Sequence, residues 1–455
     1  MINRYAINGY KLAGLTNTLA FYTVSPSVVP AGMESEIHIK PLGVHAAFLD
    51  GYEYTVNIIP MFESRYFYPG QAEQNTLKVK PDASGIIKIA YKFEREQEYY
   101  IRLLKPENAG DHRVLSYQKF YMTHTFHVYA LDPDLYRLRP YRGDFHAHST
   151  GSDGSEAPAF TAANYRKNGF DFFSLTDHEK MEPSLDAHKA YENAPVDFIT
   201  LRGEEVHAPG CQVHIVNFGG NLGVNKYIKE DPKRYELQVQ KIIESEKMPE
   251  GIDPFYYASS IWVFRKIRET GGLGIFAHPH WLEDVFQVPQ VLIDAIFASG
   301  EMDVFELLGG VYPYDNNFQT VYFNEANAGK RVPFVGSSDS HGTEIGEPGL
   351  PYFTWTSTIV FTRDLTIENV KEAILNGYTA AVETYPGEES RVHASYRIML
   401  YTRFLLNNYF PLHDEMCFEE GRMMKEWLLG AADARKSLEI MKGRVKRLQD
   451  LFWGI

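Results

Sequence analysis

The sequence feature that most constrains the fold is an alternation of short apolar strands with helical stretches, which begins near residue 141. Repeated strand-then-helix units predict an α/β fold with a parallel sheet. About seven such units predict a sheet that closes, or nearly closes, into a barrel. Segments that read as strands and precede a stretch typical of a helix include RGDFHAH, FDFFSLTDH, GLGIFAHPH and DVFELLGG.

The N-terminal part of the chain has a different pattern, in which apolar and polar residues alternate as in half-buried strands. No convincing helix separates these segments, so we predict a small immunoglobulin-like β-sandwich over residues 1–135. The segment LDPDLYRLRPYR (131–142) is interpreted as a linker. The aromatic stretch SRYFYPG (64–70) is interpreted as a core or surface group rather than a ligand site. The predicted strands are 35–40, 52–59, 75–80, 85–93, 98–104 and 120–131.

Residues 395–455 are predicted to form a mostly helical C-terminal extension. We expect its apolar stripe to pack back onto the barrel. The alternative is a dimer-forming coiled coil, which is disfavoured because two heptads are short and Gly443 interrupts them. The stripe has spacings of 3, 4, 3 and 4 and comprises Leu438, Met441, Val445, Leu448 and Phe452.

Charge and composition exclude several classes of partner. The formal net charge is −14 at pH 7, which argues against a broad nucleic-acid surface. No run reaches the ~18 apolar residues that a membrane helix needs, and the N-terminus lacks the apolar core of a secretory signal. The only cysteines, Cys211 and Cys417, are far apart in sequence, so no disulfide framework is expected. We expect a cytoplasmic protein, and the sequence leaves its oligomeric state open.

Histidines and carboxylates follow strand after strand at the predicted C-terminal rim of the barrel, where the active sites of α/β barrels lie. In an extended strand, residues i and i+2 face the same way, so His146 and His148 can bind one ion. Asp339 and His341 repeat this spacing. Imidazole and carboxylate without thiolate suit Zn, Fe or Mn. Each motif alone is weak, but their joint occurrence favours a metal site over a polar rim without metal.

These motifs resemble those of a known family. HAHSTGSDG, TDH, GEE, VHIVNFG, AHPH and GSSDSHG are similar, in this order, to the motifs of the PHP (polymerase and histidinol phosphatase) superfamily, and especially to its stand-alone phosphoesterases. The resemblance covers about residues 141–385. It implies a distorted seven-stranded (β/α) barrel, which we place at 141–390, with a trinuclear metal centre that hydrolyses phosphoesters.

The resemblance also implies a set of metal ligands. Within GEE the family spacing selects Glu205 over Glu204, and alternation agrees because Gly203, Glu205 and His207 share one strand face. Asp177 is interpreted as a residue that orients a neighbouring group. The first metal would be held by His146, His148, Glu205 and Asp339, the second by Glu205, His214 and His278, and the third by Asp153, His178 and His341.

The predicted mechanism follows from this site. The site would hold two or three divalent ions. Three of them, with the three carboxylates, would leave a pocket of roughly +3, which can attract phosphate to an acidic protein. Coordination lowers the pKa of water towards about 7, so a metal-bound hydroxide can attack phosphorus. Glu205 and Asp339 would bridge the metals and position this hydroxide. No nucleophilic serine or cysteine is required.

Substrate contacts are less constrained. Three further residues each follow a predicted ligand by two positions, so that they point the same way at a strand end: Lys180 after His178, His207 after Glu205 and His280 after His278. Each is a candidate substrate contact or a structural residue. The charged segment 221–262 is interpreted as a solvated excursion. The alternative is a lid that brings lysine or arginine to the substrate: Lys226, Lys229, Lys233 or Arg234.

Three functions are therefore compared. The leading hypothesis is a metal-dependent phosphoesterase that hydrolyses a small phosphorylated metabolite or nucleotide. A metallohydrolase of C–N or C–O bonds is the nearest rival, although no candidate for a carboxylated lysine is evident. The third is a non-catalytic binding or accessory module whose metal is structural or sensory. The sequence does not identify the phosphoester or separate monoesters from diesters.

Overall fold

A computed structural model of the protein describes residues 17–62, 75–104, 123–310, 312–342, 352–385 and 387–455. The aromatic stretch 64–70 lies outside these residues. Within them, all six strands predicted for the N-terminal part are observed, with ends that differ by a few residues. Their bounds, with three further elements, are α1 (Asn17–Phe21), β1 (Tyr22–Ser25), β2 (Val28–Pro30), β3 (Met33–Pro41), β4 (Tyr54–Pro60), β5 (Thr76–Val79), β6 (Ile87–Phe93), β7 (Gln97–Leu104) and β8 (Thr123–Leu131).

These strands form two sheets that face each other. One sheet has the order β1-β3-β6 and the other β2-β8-β7-β4-β5. Strand alternation places Ile87 and Ile89 of β6 in the interior, whereas Lys88 between them is exposed. Ile39 from the first sheet and Ile101 from the second belong to one buried apolar cluster. This shared core stabilises the two sheets as a sandwich.

The middle of the chain forms a ten-stranded sheet with the order β15-β14-β13-β12-β11-β10-β9-β16-β17-β18. Four neighbouring pairs are parallel, but β12 is antiparallel to both β11 and β13. The prediction of a parallel sheet is therefore wrong at β12, because the short connection 208–213 leaves no room for the helix that a parallel crossover needs. It is also wrong at the other end of the sheet, where β16, β17 and β18 are antiparallel to their neighbours. The strands are β9 (Arg139–Asp144), β10 (Phe172–Leu175), β11 (Ile199–His207), β12 (His214–Phe218), β13 (Leu273–Phe276), β14 (Val304–Leu308), β15 (Phe334–Gly336), β16 (Thr356–Thr362), β17 (Thr379–Glu383) and β18 (Arg391–His393).

The first and last strands of the β9–β15 run meet beyond their C-terminal ends. Ala147 and Ser340 form a parallel bridge, and the His148 amide donates to the Ser340 carbonyl at 2.7 Å. The Asp339 amide donates to the His146 carbonyl at 3.0 Å. This pairing curls the sheet and brings the His-x-His and Asp-x-His segments side by side.

Helices flank the curled sheet. The segment 221–262 contributes α5, α6 and the start of α7, and its residues Val224, Tyr235 and Val239 are buried in a large apolar cluster. It is therefore part of the packed structure and not a solvated excursion. The bounds are α2 (Pro133–Tyr136), α3 (Pro158–Lys167), α4 (Glu182–Tyr191), α5 (Val224–Glu230), α6 (Pro232–Ser245), α7 (Pro254–Glu269), α8 (Gln290–Ser299), α9 (Pro313–Ala326) and α10 (Ile367–Leu375).

The C-terminal helices connect the two parts of the molecule. Leu438 packs in the cluster that surrounds α3, whereas Phe452 packs with Val28 and Tyr129 of the sandwich. The apolar stripe does not lie on one continuous helix. It is interrupted at Gly443, which has a left-handed φ of 74° and lies between two separate helices. The bounds are α11 (Tyr396–Asn408), α12 (Phe410–Leu428), α13 (Ala434–Met441) and α14 (Arg444–Trp453). In the described ranges, no helix is both long and apolar enough to cross a bilayer.

Candidate metal centre

The His-x-His segment lies at the C-terminal end of β9. Its extended backbone points His146 and His148 the same way, and both side chains are completely buried. The pairing of this segment with the end of β15 places Asp339 opposite them. Asp339 Oδ1 lies 2.9 Å from His148 Nε2 and 3.3 Å from His146 Nε2. These three side chains form the buried floor of the site.

Glu205 is the centre of the cluster. It lies on β11 with its carboxylate fully buried, and each oxygen faces imidazole nitrogens. Its Oε2 atom lies 2.6 Å from His178 Nδ1, 3.4 Å from His146 Nε2, 3.4 Å from His207 Nε2 and 3.5 Å from His148 Nε2. Its Oε1 atom lies 2.9 Å from His214 Nδ1 and 3.2 Å from His278 Nε2.

A third group lies closer to solvent. The Asp153 Oδ2 atom is 3.3 Å from His178 Nε2 and 3.4 Å from His341 Nε2. The Asp153 side chain is 55% exposed, in contrast to the buried Glu205. The structure thus brings all nine predicted ligands together, with a buried floor and a solvent-exposed side formed by Asp153 and His341.

Asp177 fixes the loop that carries Asp153. Its carboxylate accepts hydrogen bonds from the backbone amides and the hydroxyls of Ser149 and Ser152, at 2.7–2.9 Å. A side chain at Gly154 would place a Cβ atom 2.7 Å from the backbone of His148 and Ser149. This contact geometry agrees with the interpretation of Asp177 as an orienting residue.

Two of the nine residues have a left-handed backbone. His278 has a φ of 27° and Asp339 a φ of 49°. Such values are costly for residues other than glycine and persist where the surroundings determine them. Here the amide of His278 donates to Glu306 Oε2 at 2.7 Å, and the amide of Asp339 is held by His146. The strained backbone aims both side chains into the cluster.

The sequence analysis missed Glu306, which orients two of the predicted ligands. Besides accepting from the His278 amide, it lies with Oε1 3.1 Å from His146 Nδ1. This contact leaves His146 Nε2 as the nitrogen that faces Glu205. The available signal was a single glutamate inside the apolar strand VFELL, which is unusual in a fully buried strand.

The electrostatics favour the ionised carboxylates. Burial alone would raise the pKa of Glu205, but nearby His146 and His214 lower it well below its ordinary value. The pKa of Asp339 is likewise lowered by His146 and His148 against the opposing effect of burial. Both groups are therefore anionic at neutral pH and available as ligands.

Glu204, the neighbour of Glu205, has a different environment. It faces away from the cluster and accepts hydrogen bonds from the Val224 amide and, at 3.1 Å, from Asn217 Nδ2. Burial raises its pKa to about 7. Glu204 therefore caps helix α5, and the choice of Glu205 as the inward-facing residue agrees with the structure.

The three candidate substrate contacts lie in different places. His207 joins the cluster, with Nε2 3.0 Å from His178 Nδ1 and its ring stacked on His214 at 3.7 Å. Lys180 is exposed and donates to the Gly151 carbonyl at 2.5 Å, close to the open side. His280 is not brought to the cluster: it is 2% exposed and packs against Phe286 and Tyr322.

Several buried atoms of the cluster have no hydrogen-bond partner among the described residues. They include Glu205 Oε2, His146 Nε2 and His148 Nδ1. Nitrogen and oxygen atoms that approach one point without aligned hydrogen bonds are suited to a shared cation. Groups whose ligand atoms all lie within 4.8 Å of one another include His148–Asp153–His178–His341, His146–His278–Asp339 and His146–His148–Glu205.

Comparisons with known proteins place these observations in context. No protein-family model matches the sequence, and no curated protein is significantly similar. A two-domain protein from Bacteroides vulgatus, named as containing a predicted PHP-like metal-dependent phosphoesterase, is a structural neighbour with 19% identity and a TM-score of 0.39. The alignment covers 55% of this chain and 66% of that one, which is just under two thirds of its length.

Two further neighbours have similar coverage of this chain. A candidate metal-dependent phosphoesterase from Bifidobacterium adolescentis is 16% identical, with 44% of this chain and 87% of that chain covered and a TM-score of 0.32. An amidohydrolase from Chromobacterium violaceum, with bound sulfate and no metal, is 20% identical, with 46% and 89% covered and a TM-score of 0.30.

Proposed function

We propose that the protein is a metal-dependent phosphoesterase of the PHP type, with a trinuclear centre at the rim of a distorted seven-stranded barrel. The single observation that carries this proposal is the convergence of nine predicted ligands around Glu205, Asp339 and Asp153. The proposal assigns 141–390 to the catalytic barrel, 1–135 to the β-sandwich domain and 395–455 to the helical extension.

The donor set fits divalent cations. Three carboxylates and six imidazoles supply only oxygen and nitrogen atoms, which suits Zn, Mn or Fe. The unpartnered buried atoms Glu205 Oε2 and His146 Nε2 would be costly without a cation to satisfy them. Three divalent ions with the three carboxylates give roughly +3, so the pocket can attract a phosphate although the whole chain carries −14.

The chain's own residues divide the work. Glu205 and Asp339 would be shared between the metal positions and fix their spacing, while Glu306 orients His146 and Asp177 orients the Asp153 loop. Bound divalent ions supply activation of water near neutral pH and neutralisation of charge on the phosphate. The open side near Asp153 and His341 admits the phosphoester, and the buried floor excludes bulk water from the reacting group.

The test is metal-dependent turnover of a defined panel. Protein stripped of metal is reloaded with Zn, Mn or Fe and assayed against phosphomonoesters and phosphodiesters, beside amides and lactones. We expect phosphoester hydrolysis that requires metal and is lost in His146→Ala and Asp339→Ala. His188→Ala, an exposed histidine on α4, is the matched control and keeps activity.

Each other result has a definite meaning. Turnover of amides or lactones alone would replace the proposal with a non-phosphate metallohydrolase. Full metal binding with no turnover of any compound would favour the non-catalytic accessory module. Undiminished activity in His146→Ala and Asp339→Ala would contradict the assigned metal positions.

A further inference from the structure

Two segments of the barrel border the metal cluster on one side. Loop 279–289 follows β13, and helix α9 follows β14. These strands are parallel neighbours, with Ile275 opposite Val304, so the segments after them emerge at the same edge of the sheet. The Asp315 carboxylate in the first turn of α9 accepts a hydrogen bond from the Leu282 backbone, which joins the two segments.

Large apolar side chains on these segments are exposed. Tyr312 is 57%, Tyr314 72% and Phe318 39% exposed. Single exposed apolar residues are ordinary, but a contiguous group marks a binding surface. Phe318 meets Phe286 of the loop with ring centroids 5.8 Å apart. We name Trp281, Phe286, Tyr312, Tyr314 and Phe318 the aromatic rim.

The aromatic rim is continuous with the metal cluster. The Trp281 ring packs edge-on against His278, with centroids 5.5 Å apart. Gln287 Nε2, in the same loop, lies 3.1 Å from His214 Nε2. The buried His280 packs beneath Phe286 at 5.6 Å and supports the loop from below. Trp281 and Gln287 thus connect the loop of the rim to the residues of the metal cluster.

We propose that the aromatic rim binds the leaving group of the substrate, and that this group is a planar, uncharged aromatic ring system. The inference rests on the proposed phosphoesterase function and adds a substrate class to it. Exposed aromatic rings favour planar partners through stacked and edge-on contacts. The loop also carries the exposed Glu283 and Asp284, which disfavour a leaving group with further negative charge.

Binding of two phosphonates tests this inference without turnover. Phenylphosphonate and methylphosphonate share the anionic head, and only the first carries an aromatic ring. Calorimetric titration of the metal-loaded protein is expected to show tighter binding of phenylphosphonate. In the double variant Tyr312→Ser, Tyr314→Ser we expect its affinity to fall roughly threefold to tenfold per ring, with methylphosphonate unchanged.

The matched control is Tyr52→Ser, Tyr396→Ser. Both tyrosines are exposed, by 49% and 66%, and lie on the sandwich and on α11. This double variant is expected to bind both phosphonates as the parent does. Equal binding of the two phosphonates, or an unchanged preference in the rim variant, would overturn the inference while the proposed function stands.

Two other outcomes also decide it. If neither phosphonate binds the metal-loaded protein, the proposed function fails and the inference fails with it. Sedimentation analysis tests whether the rim binds a second copy of the chain instead. This would be the result if the parent self-associates, the rim variant does not, and both bind phenylphosphonate equally well. With an active enzyme, the kcat/KM ratio for phenyl phosphate over glycerol phosphate is expected to fall in the rim variant alone.

Discussion

Within the described part of the chain, two buried clusters of histidine and carboxylate differ in which basic groups surround the carboxylates. The first is the candidate metal centre around Glu205. The second, which we call the helix network, joins α3 and α12. Its members are Arg142, Arg166, Asp171, His413, Asp414 and Glu420.

In the helix network, arginine supplies the positive charge. Arg166 donates from Nη1 to Asp171 at 3.0 Å and from Nε to Glu420 at 2.5 Å. Asp171 also lies 2.8 Å from His413 Nε2. Three carboxylates face two guanidiniums, so protonated His413 completes the balance. The network is neutral with protein groups alone.

Within the described residues, no arginine pairs with the carboxylates of the candidate metal centre. Asp171, His413 and Cys417 of the helix network also bring possible ligand atoms within 4.8 Å, so proximity by itself does not mark a metal site. The difference is that Glu205 is surrounded by imidazoles and no arginine contacts it in the described part of the chain. Carboxylates surrounded by imidazoles at a partly exposed rim suit a shared cation, whereas carboxylates paired with arginine between helices hold the packed helices together.

The largest expected effect is on the metal centre. Replacing Glu205→Gln removes the charge shared by the predicted metal positions, and we expect metal content to fall and turnover to drop on the order of a thousandfold or more. Elemental analysis and steady-state kinetics measure both. The neighbouring change Glu204→Gln is the control, with metal content retained. Full metal content in Glu205→Gln would contradict the assignment of the cluster around Glu205 as the metal site.

The helix network is expected to show the opposite profile. Arg166→Met leaves Asp171 and Glu420 buried without their arginine, and breaking a buried pair costs about 3–5 kcal/mol. Urea unfolding measures the loss, and the metal content of the folded variant stays at the parent value. Arg435→Met, which removes an exposed pair with Glu439, is expected to cost less than about 1 kcal/mol. Loss of bound metal in Arg166→Met would argue that the clusters are coupled.

An intermediate effect is expected at Glu306. Glu306→Gln keeps the size of the side chain but weakens the contact that orients His146, and such changes typically cost about 10–100-fold in metal affinity. Competition with a chromophoric chelator measures the affinity. Gln319→Glu, on a buried helix position outside the cluster, tests whether any buried polar change has this effect. If the metal affinity of Glu306→Gln were unchanged, the role of Glu306 would be limited to its hydrogen bond with the His278 backbone amide.

The smallest effect concerns pH. Burial would lower the pKa of His413, but Asp171 raises it well above its ordinary value. A raised histidine pKa contributes stability that is complete below about pH 6.5 and is lost as the pH rises through the folded-state value. The difference in unfolding free energy between the parent and His413→Gln should therefore shrink above pH 6.5, by up to about 1.4 kcal/mol per pH unit. A difference that does not vary between pH 6 and 9 would contradict a protonated His413.

Sequence patterns grouped the residues of the candidate metal centre but not those of the helix network, for a physical reason. Ligands such as His146 and Asp339 end strands, and the geometry of a curled sheet brings strand ends together regardless of details in between. Arg166 and Glu420 lie on separate helices, 254 positions apart, and their meeting depends on how α12 docks. No local pattern encodes that docking.

One feature of the fold, the direction of β12, and one residue of the candidate site, Glu306, were missed for related reasons. The antiparallel β12 depends on the short connection 208–213, which strand periodicity does not reveal. Glu306 reads as one polar residue in an apolar strand, and its partner His146 is 160 positions away. By contrast, the alternation of side chains along a strand was enough to distinguish Glu205 from Glu204. The two residues lie on opposite faces of β11, and only the face of Glu205 is turned to the histidines.

The left-handed backbone of His278 and Asp339 has a consequence for the order of assembly. A chain that has not yet paired β9 with β15 has nothing to hold Asp339 in that conformation, and the residue relaxes towards extended or right-handed geometry. Its carboxylate then aims elsewhere. Under the proposed function, tight binding of the ions would therefore require the curled sheet, and nascent or partly folded chains would compete poorly for scarce metal.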